Sequence, residues 1–203
     1  MPGHLRDRKR ERTRRALVEA ATELFERHGY DGTTVADIAA AADIGTRTFF
    51  SYFASKEELL FPDFEARVQA ALAAIEARGA HDRPAEVLLR ALRAVDDAGH
   101  DMVGQQTELR MRLSQTVPAV RGRALQMQFD AQRQIARRLH EAYPDELDDI
   151  AAGALVGAFV GAVNGAQQAM MDRNPAGDGP LDLAQRRTLL LRAAGVALRP
   201  WTQ

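Results

Sequence analysis

A short segment of the chain concentrates side chains that recognise other molecules through directional hydrogen bonds. Between Thr46 and Phe53, helical spacing directs Phe49 and Phe53 to one face, because they are four residues apart. The opposite face then carries Thr46, Arg47, Thr48, Ser51 and Tyr52. Guanidinium and hydroxyl groups are typical partners of base edges and phosphate oxygens. We therefore expect the outer face of this helix to suit a groove of DNA.

The element that must position this helix precedes it directly. Its apolar residues recur at the spacing of one helix face and are Val35, Ile38, Ala39 and Ala42. Either Thr33 or Thr34 is placed to cap the first turn, and we expect the helix to end at Asp43. Ile44 should be buried beneath the following turn, and Gly45 should adopt a backbone conformation that other residues resist. Two helices joined by such a short turn are typical of a helix-turn-helix.

The order of residues across this segment is distinctive. It contains Thr33, Thr34, Ile38, Ala39, Ala42, Ile44, Thr48, Phe49, Phe50, Tyr52, Phe53, Ser55, Lys56, Glu57 and Leu59. This order resembles the tetracycline-repressor (TetR) family of bacterial transcription regulators, specifically over about residues 8–60. Together with the outer-face geometry, the resemblance implies that Thr46, Arg47 and Thr48 read bases, with Ser51 on the same face. The implied phosphate contacts are Thr33, Thr34, Tyr52 and Lys56.

The first fifteen residues form a basic segment, with seven basic and two acidic side chains, although the whole chain has a formal net charge of −1. DNA affinity must therefore come from a local patch rather than from bulk charge. We predict that Arg8, Arg10 and Arg12 contact DNA, while a solvated helix face remains the alternative for any charge run. The segment leads into a helix that should end at Gly29, and the resemblance implies that its basic start lies near the DNA backbone.

Composition and motifs argue against secretion and against catalysis. The chain has no cysteine, and its charged N-terminus is not followed by an apolar segment, so we expect a cytoplasmic protein without disulfides or thiolate metal sites. No phosphate-binding loop, nucleophile elbow or H-x-x-x-H pair occurs. The acidic residues 145–149 are better explained as a helix start than as a Mg²⁺ site. We predict no enzyme activity, no metal and no cofactor.

The remaining residues read as further helices, at about 56–79, 84–97, 99–115, 119–142, 145–173 and 180–199, without strand alternation. Pro62 should kink the first of these or force it to restart. The predicted fold is all-α, with an N-terminal helix-turn-helix DNA-binding domain at 1–60. A helical bundle at 61–203 would follow it, for effector binding and dimerisation.

Four glycines recur every four residues in the penultimate predicted helix, at Gly153, Gly157, Gly161 and Gly165. Each costs up to about 1 kcal/mol in a helix interior, so close packing is the better explanation for them. The resemblance implies that the last two helices form a dimer interface, to which we assign these glycines and Leu190. Packing inside one subunit is the alternative. The apolar run at 151–163 is shorter than the roughly 20 residues of a membrane span, so we predict no membrane insertion.

An effector site is suggested by adaptable apolar groups mixed with polar ones in the middle helices. The candidates are Met102, Gln106, Arg110, Met127, Phe159 and Asn164. Part of the chain after Phe53 is similar to regulators that sense acyl-CoA-like compounds. The predicted protein is a homodimeric repressor that binds a palindromic operator and is released by a small hydrophobic or amphipathic effector. The alternative is an architectural DNA-binding protein or an activator without a ligand.

Overall fold

A computed structural model describes residues 3–97, 105–172 and 181–201 of the chain. Over these ranges it contains α-helices and short 3-10 helices but no strand, so the predicted all-α class is confirmed. The α-helices are α1 (Gly3–His28), α2 (Val35–Ala41), α3 (Thr46–Phe49), α4 (Phe64–Glu76), α5 (Pro84–Asp97), α6 (Gln105–Thr116), α7 (Pro118–Ala142), α8 (Asp149–Asp172) and α9 (Leu183–Leu198). The 3-10 helices are Lys56–Leu60 and Arg199–Trp201.

The chain forms two compact units. The first, here called the N-terminal unit, contains residues up to Pro62 together with Leu109–Ala124, which include the end of α6 and the start of α7. The second, here called the C-terminal unit, contains Asp63–Glu108 and the residues from Leu125 onwards. The N-terminal unit therefore recruits a segment that is distant in the sequence.

Aromatic and aliphatic side chains fill the N-terminal unit. Its buried residues include Leu17, Ala21, Phe25, Tyr30, Ile38, Ala39, Phe49, Phe53, Leu59, Leu60, Leu109, Leu113 and Val120. The rings of Phe25 and Tyr30 stack with their centroids 5.6 Å apart. The Glu58 carboxylate receives a 2.6 Å hydrogen bond from Arg123 and, through its other oxygen, a 2.8 Å bond from the Ala54 N–H. These bonds tie the start of α7 to the chain that follows α3.

The turn between α2 and α3 differs from the sequence prediction. Asp43, not Gly45, has the left-handed backbone, with φ of 54°. The Asp43 and Ile44 N–H groups donate to the carbonyls of Ala40 and Ala39, at 3.1 and 2.9 Å, which is the Schellman pattern that ends a helix. Gly45 instead has an extended backbone, with φ of −80° and ψ of 153°, that any residue can adopt, and Ile44 is only half-buried.

The Schellman turn yields a stability prediction. Asp43→Gly should raise the free energy of unfolding by about 0.5–1 kcal/mol, because glycine adopts a left-handed backbone without the steric penalty of a Cβ atom. Asp43→Ala should lower it, because alanine keeps the Cβ atom and lacks the short polar side chain that eases this conformation. Urea unfolding of the two variants and the wild type checks the order. An alanine variant as stable as the glycine variant would contradict the assignment.

Of three other predicted element boundaries, one agrees with the structure and two differ from it. The predicted restart at Pro62 is confirmed, since the 3-10 helix ends at Leu60 and α4 begins at Phe64. The helix predicted at 46–53 is regular only to Phe49, although the Phe53 N–H still donates to the Phe49 carbonyl at 3.1 Å. Helix α8 begins at Asp149 rather than 145, because the Asp148 carboxylate accepts the Ala151 N–H at 2.6 Å and caps it.

The C-terminal unit is built around α8. One of its buried clusters joins residues of α4, α5, α7, α8 and α9, and includes Ile75, Leu88, Leu139, Leu155 and Leu198. A second cluster contains Leu92, Val95, Val163, Leu190 and Ala194. Within the described ranges, α8 has the length and apolar composition that a bilayer-spanning helix needs. It buries one face in the first cluster, through Ala152, Leu155 and Val156.

Candidate nucleic-acid interface

Helix α3 presents the polar surface that the sequence predicts. Thr46, Arg47, Thr48 and Ser51 are exposed, and Tyr52 is half-buried. Phe49 is completely buried on the opposite side, with its ring centroid 6.1 Å from that of Phe53. The Ser51 hydroxyl donates to the Thr48 carbonyl at 2.6 Å, which leaves its oxygen lone pairs able to accept from a partner. The aromatic side chains thus anchor the helix while its donors point outward.

The two adjacent threonines before α2 have different roles. Thr34 is the N-cap: its hydroxyl accepts the Asp37 N–H at 3.2 Å, and its own N–H donates to the Asp37 carboxylate at 2.9 Å. The hydrogen bonds from the Thr34 hydroxyl and N–H hold the pKa of Asp37 below its usual value. Thr33 is 1% exposed, and its hydroxyl donates to the carbonyls of Gly29 and Leu24, at 2.8 and 3.2 Å. The prediction of Thr33 as a phosphate contact is therefore corrected, since its side chain is internal.

Lys56 lies at a junction inside the N-terminal unit. Its ammonium group donates to the carbonyls of Tyr30 and Thr33, both at 2.8 Å, and lies 3.9 Å from the centroid of the Tyr30 ring. The Tyr30 hydroxyl donates to the Glu57 carboxylate. Burial, followed by this hydrogen bond, raises the pKa of Tyr30. Burial opposes ionisation of Glu57, but hydrogen bonds from Ser55 and Tyr30 bring its pKa below the usual value.

The basic N-terminal segment is helical, because α1 begins at Gly3. Two of its arginines contact aromatic residues that follow α3. The Arg10 guanidinium lies 5.4 Å from the centroid of the Tyr52 ring, and that of Arg14 lies 4.8 Å from the centroid of Phe53. Arg8 and Arg12 are exposed. The positive charge of α1 therefore adjoins the polar surface of α3, at Tyr52.

Phe50 belongs to the same surface and was not among the predicted contacts. It is 58% exposed, and its ring packs edge-on against that of Phe49, with centroids 5.3 Å apart. Helical spacing contained the signal for it, because Phe50 follows Thr46 by four residues and Arg47 by three.

The predicted effector residues do not all belong to one unit. Met127, Phe159 and Asn164 lie in the C-terminal unit, where Phe159 packs against both buried clusters and the Asn164 amide donates to Gln128 at 2.7 Å. Gln106, at the start of α6, also belongs to this unit and is half-buried. Arg110 belongs to the N-terminal unit, with its guanidinium 5.8 Å from the centroid of Phe61. Met102 lies outside the described residues.

The C-terminal unit contains two buried polar side chains that were not among the predicted site residues. Thr107 is 3% exposed and Gln167 is 8% exposed. The position of Gln167 could have been noticed, because it follows the buried Val163 by four residues and therefore shares its helix face.

The predicted interface residues divide between surface and core. Gly153, Gly161 and Gly165 are exposed and Gly157 is half-exposed, and a Cβ atom added to any of the four would meet no atom of the described residues within 4 Å. The described part of one subunit therefore does not cover these glycines, and their assignment to a dimer interface stays a prediction. Leu190 is 3% exposed within the second buried cluster. Its assignment to a dimer surface is corrected, because its side chain is buried in the core of its own chain.

The fold and this surface define a helix-turn-helix protein of the DNA-binding class. A family model described as "Bacterial regulatory proteins, tetR family" matches residues 17–61. The transcriptional regulator TcmR of Streptomyces glaucescens is 37% identical over 153 residues, which cover 73% of this chain and 67% of that protein. This chain belongs to the TetR family and is a transcriptional regulator.

Solved structures agree on the fold. A TetR-family regulator from Syntrophomonas wolfei, 15% identical, superimposes with a TM-score of 0.60 over 93% of this chain and 96% of that one. FadR of Thermus thermophilus, in complex with lauroyl-CoA, is 19% identical and has a TM-score of 0.53 over 91% and 93% of the two chains. At these identities the likeness shows the arrangement of helices alone.

Proposed function

We propose that this protein is a cytoplasmic, ligand-responsive repressor that binds a palindromic DNA operator as a homodimer and is released by a small-molecule effector. The observation that carries the proposal is the outer surface of α3, which exposes hydroxyl and guanidinium groups while Phe49 is buried on the opposite side of the helix. The basic face of α1 adds positive charge beside that surface at Tyr52. Together they supply both base-reading and phosphate-binding groups.

The proposed contacts follow from which donors remain available. Thr46, Arg47 and Thr48 read base edges, with Ser51 as a hydrogen-bond acceptor at the end of the same surface. Phosphate contacts come from Tyr52, Arg8, Arg10 and Arg12, all at least partly exposed. Thr34 is left out, because its hydroxyl and its N–H both donate to the Asp37 carboxylate. Thr33 and Lys56 are left out of this set, because their donors are engaged inside the unit.

A matched pair of arginine variants tests base reading against phosphate contact. Arg47 and Arg12 are both exposed, and replacing either with alanine removes the same charge and the same donors. Arg47→Ala should cost about 1–3 kcal/mol of operator affinity and relax preference at one base pair. Arg12→Ala should weaken binding to specific and to random DNA equally. It should also reduce the slope of the logarithm of the binding constant against the logarithm of the salt concentration by about one unit. Binding titrations at several salt concentrations, on selected and scrambled duplexes, measure both effects. Equal losses on the two duplexes for Arg47→Ala would refute its role as a base reader.

Dimerisation is proposed through the outer face of α8. In addition to the glycines, this face exposes Ile150, which is 78% exposed, and α9 exposes Val196 at 56%. Exposed glycines give a second backbone room to approach, and Ile150 shares their helix face, since it precedes Gly153 by three residues and Gly157 by seven. A dimer would place two copies of α3 about 34–36 Å apart, the separation of successive major grooves on one side of DNA. A small rotation at this interface could then abolish simultaneous docking.

The effector is proposed to bind within the C-terminal unit, beside Phe159 and the buried amide of Gln167. Phe159 packs against both buried clusters, and Gln167 places a buried amide about two turns further along the same helix, so α8 offers both apolar packing and a polar group that can orient a ligand. The effector class proposed is hydrophobic or amphipathic, with acyl-CoA-like compounds as the first to examine.

Lauroyl-CoA provides a direct probe, with free CoA and lauric acid as controls. At a concentration one hundred times its Kd, a ligand that binds only the folded protein adds about 2.7 kcal/mol of stability, so the melting temperature should rise. Operator affinity should fall at the same concentration. A Gln167→Leu variant, which keeps a similar side-chain volume, should fold and bind DNA but respond less to the ligand. If the wild-type protein bound the operator but neither its melting temperature nor its operator affinity changed with any compound of this class, the acyl-CoA-like assignment would fail. The ligand-free architectural role would then gain support.

A further inference from the structure

Phe50 is an exposed aromatic residue on a surface otherwise made of polar and charged groups. It is 58% exposed, whereas its neighbour Phe49 is completely buried. Phe50 shares a helix face with Thr46 and Arg47, since its N–H donates to the Thr46 carbonyl at 3.3 Å and Arg47 precedes it by three residues. Its ring contacts that of Phe49 at an interplanar angle of 82°, so a completely buried side chain supports it. An apolar group is therefore presented where the proposed function places DNA.

The chemistry of base edges limits what such a group can recognise. A phenyl ring carries no hydroxyl and cannot donate to a phosphate or to a base acceptor. In the major groove, the C5-methyl of thymine is the apolar feature that distinguishes one base from the others, and side chains such as phenylalanine contact it. Removing both groups from water is favourable, and one methyl group corresponds to about a fourfold change in affinity.

We propose that Phe50 determines sequence specificity by packing against the C5-methyl group of one thymine in each operator half-site. This inference rests on the proposed function, because it requires α3 to enter the major groove. It adds a hydrophobic readout to the hydrogen bonds proposed for Arg47, and it predicts that thymine is required at a position that no donor of the protein specifies.

The test begins with selection of binding sites from a random duplex library by the full-length wild-type protein. In the selected duplex, each thymine of one half-site is then replaced in turn by deoxyuridine, which lacks only the methyl group. Wild-type affinity should fall about fourfold at one position. Phe50→Ala should bind more weakly than the wild type and show no further loss at that position. Phe129→Ala, which removes a ring of similar exposure, 59%, from α7 in the C-terminal unit, should retain the full loss. Circular dichroism of Phe50→Ala verifies that the variant is folded.

The outcomes separate this inference from the proposed function. If the wild-type protein enriches no sequence, the proposed function fails and the role of Phe50 fails with it. If it enriches a palindrome but deoxyuridine weakens wild type and Phe50→Ala equally at every position, the inference about Phe50 is overturned while the operator-binding function stands. A position at which only the variant is insensitive to the methyl group supports the contact directly.

Discussion

A Gly157→Leu, Gly161→Leu double variant is expected to be a folded monomer that no longer binds a palindromic operator. Within the part of one chain that the structure describes, a Cβ atom at either position meets nothing within 4 Å, so the substitutions should not disturb the fold. Each should favour the helix by up to about 0.8 kcal/mol, because glycine is a poor helix former. Across a dimer, the added side chains would fill the space that a second backbone needs, at a cost of about 1–3 kcal/mol each. The helix should gain stability while the dimer loses it.

Sedimentation and circular dichroism measure the two effects separately. Gly122→Leu is the matched control, because Gly122 lies in a different helix, α7, and an added Cβ there also meets no atom of the described ranges within 4 Å. The control should gain the same helix propensity per substitution and remain dimeric. The operator affinity of the double variant should fall about a hundredfold or more, since a subunit bound at one half-site no longer holds a second subunit close to the other half-site. A double variant that sediments as a dimer and binds like the wild type would exclude the outer face of α8 as the interface.

Lys56→Met is expected to lower the free energy of unfolding by about 2–4 kcal/mol, since it removes two hydrogen bonds from an ammonium group to internal carbonyls. Methionine preserves the apolar stem beside the Tyr30 ring but cannot donate to the carbonyls of Tyr30 and Thr33. The turn before α2 would lose its connection to the 3-10 helix after α3. Operator affinity should fall because the recognition surface is less well held, and its salt dependence should stay unchanged.

Lys9→Met is the control, because Lys9 is the only other lysine of the chain and is exposed on α1. It removes the same charge without an internal bond and should leave the unfolding midpoint in urea unchanged. The family resemblance instead implies that Lys56 contacts a phosphate. In that case Lys56→Met would unfold like the wild type, and the salt dependence of operator binding would flatten by about one unit. The two roles thus predict opposite results in two independent measurements.

The sequence by itself determined the helical class, the helix-turn-helix and the polar outer surface of α3. These depend on spacing within a few residues, and helix geometry converts such spacing directly into a shared face. The burial of Phe49 and Phe53 and the exposure of Arg47 follow from that rule and agree with the structure. The restart after Pro62 is equally local, since proline lacks the N–H that a helix interior requires.

Only the tertiary structure decided which of several equivalent groups is internal. Thr33 and Thr34 are adjacent and identical, yet one bonds to the end of α1 while the other caps α2. Lys56 could have faced solvent, but it finds two carbonyls 23 and 26 residues away in the sequence. The left-handed residue of the turn is Asp43 rather than Gly45, because the Schellman bonds to Ala39 and Ala40 require that conformation one residue after the helix cap.

Local spacing also could not predict which residues are buried by segments that are distant in the sequence. Periodicity marked Leu190 and the glycine row as apolar or small, but it could not tell which face another segment of the same chain would cover. It also contained no sign that residues 109–124 would join the N-terminal unit. Burial depends on contacts between segments that are distant in the sequence, whereas periodicity reports only which residues of one helix face the same way. Local spacing therefore established the surfaces of this protein, and packing between distant segments decided which of them remain available to DNA or to a second subunit.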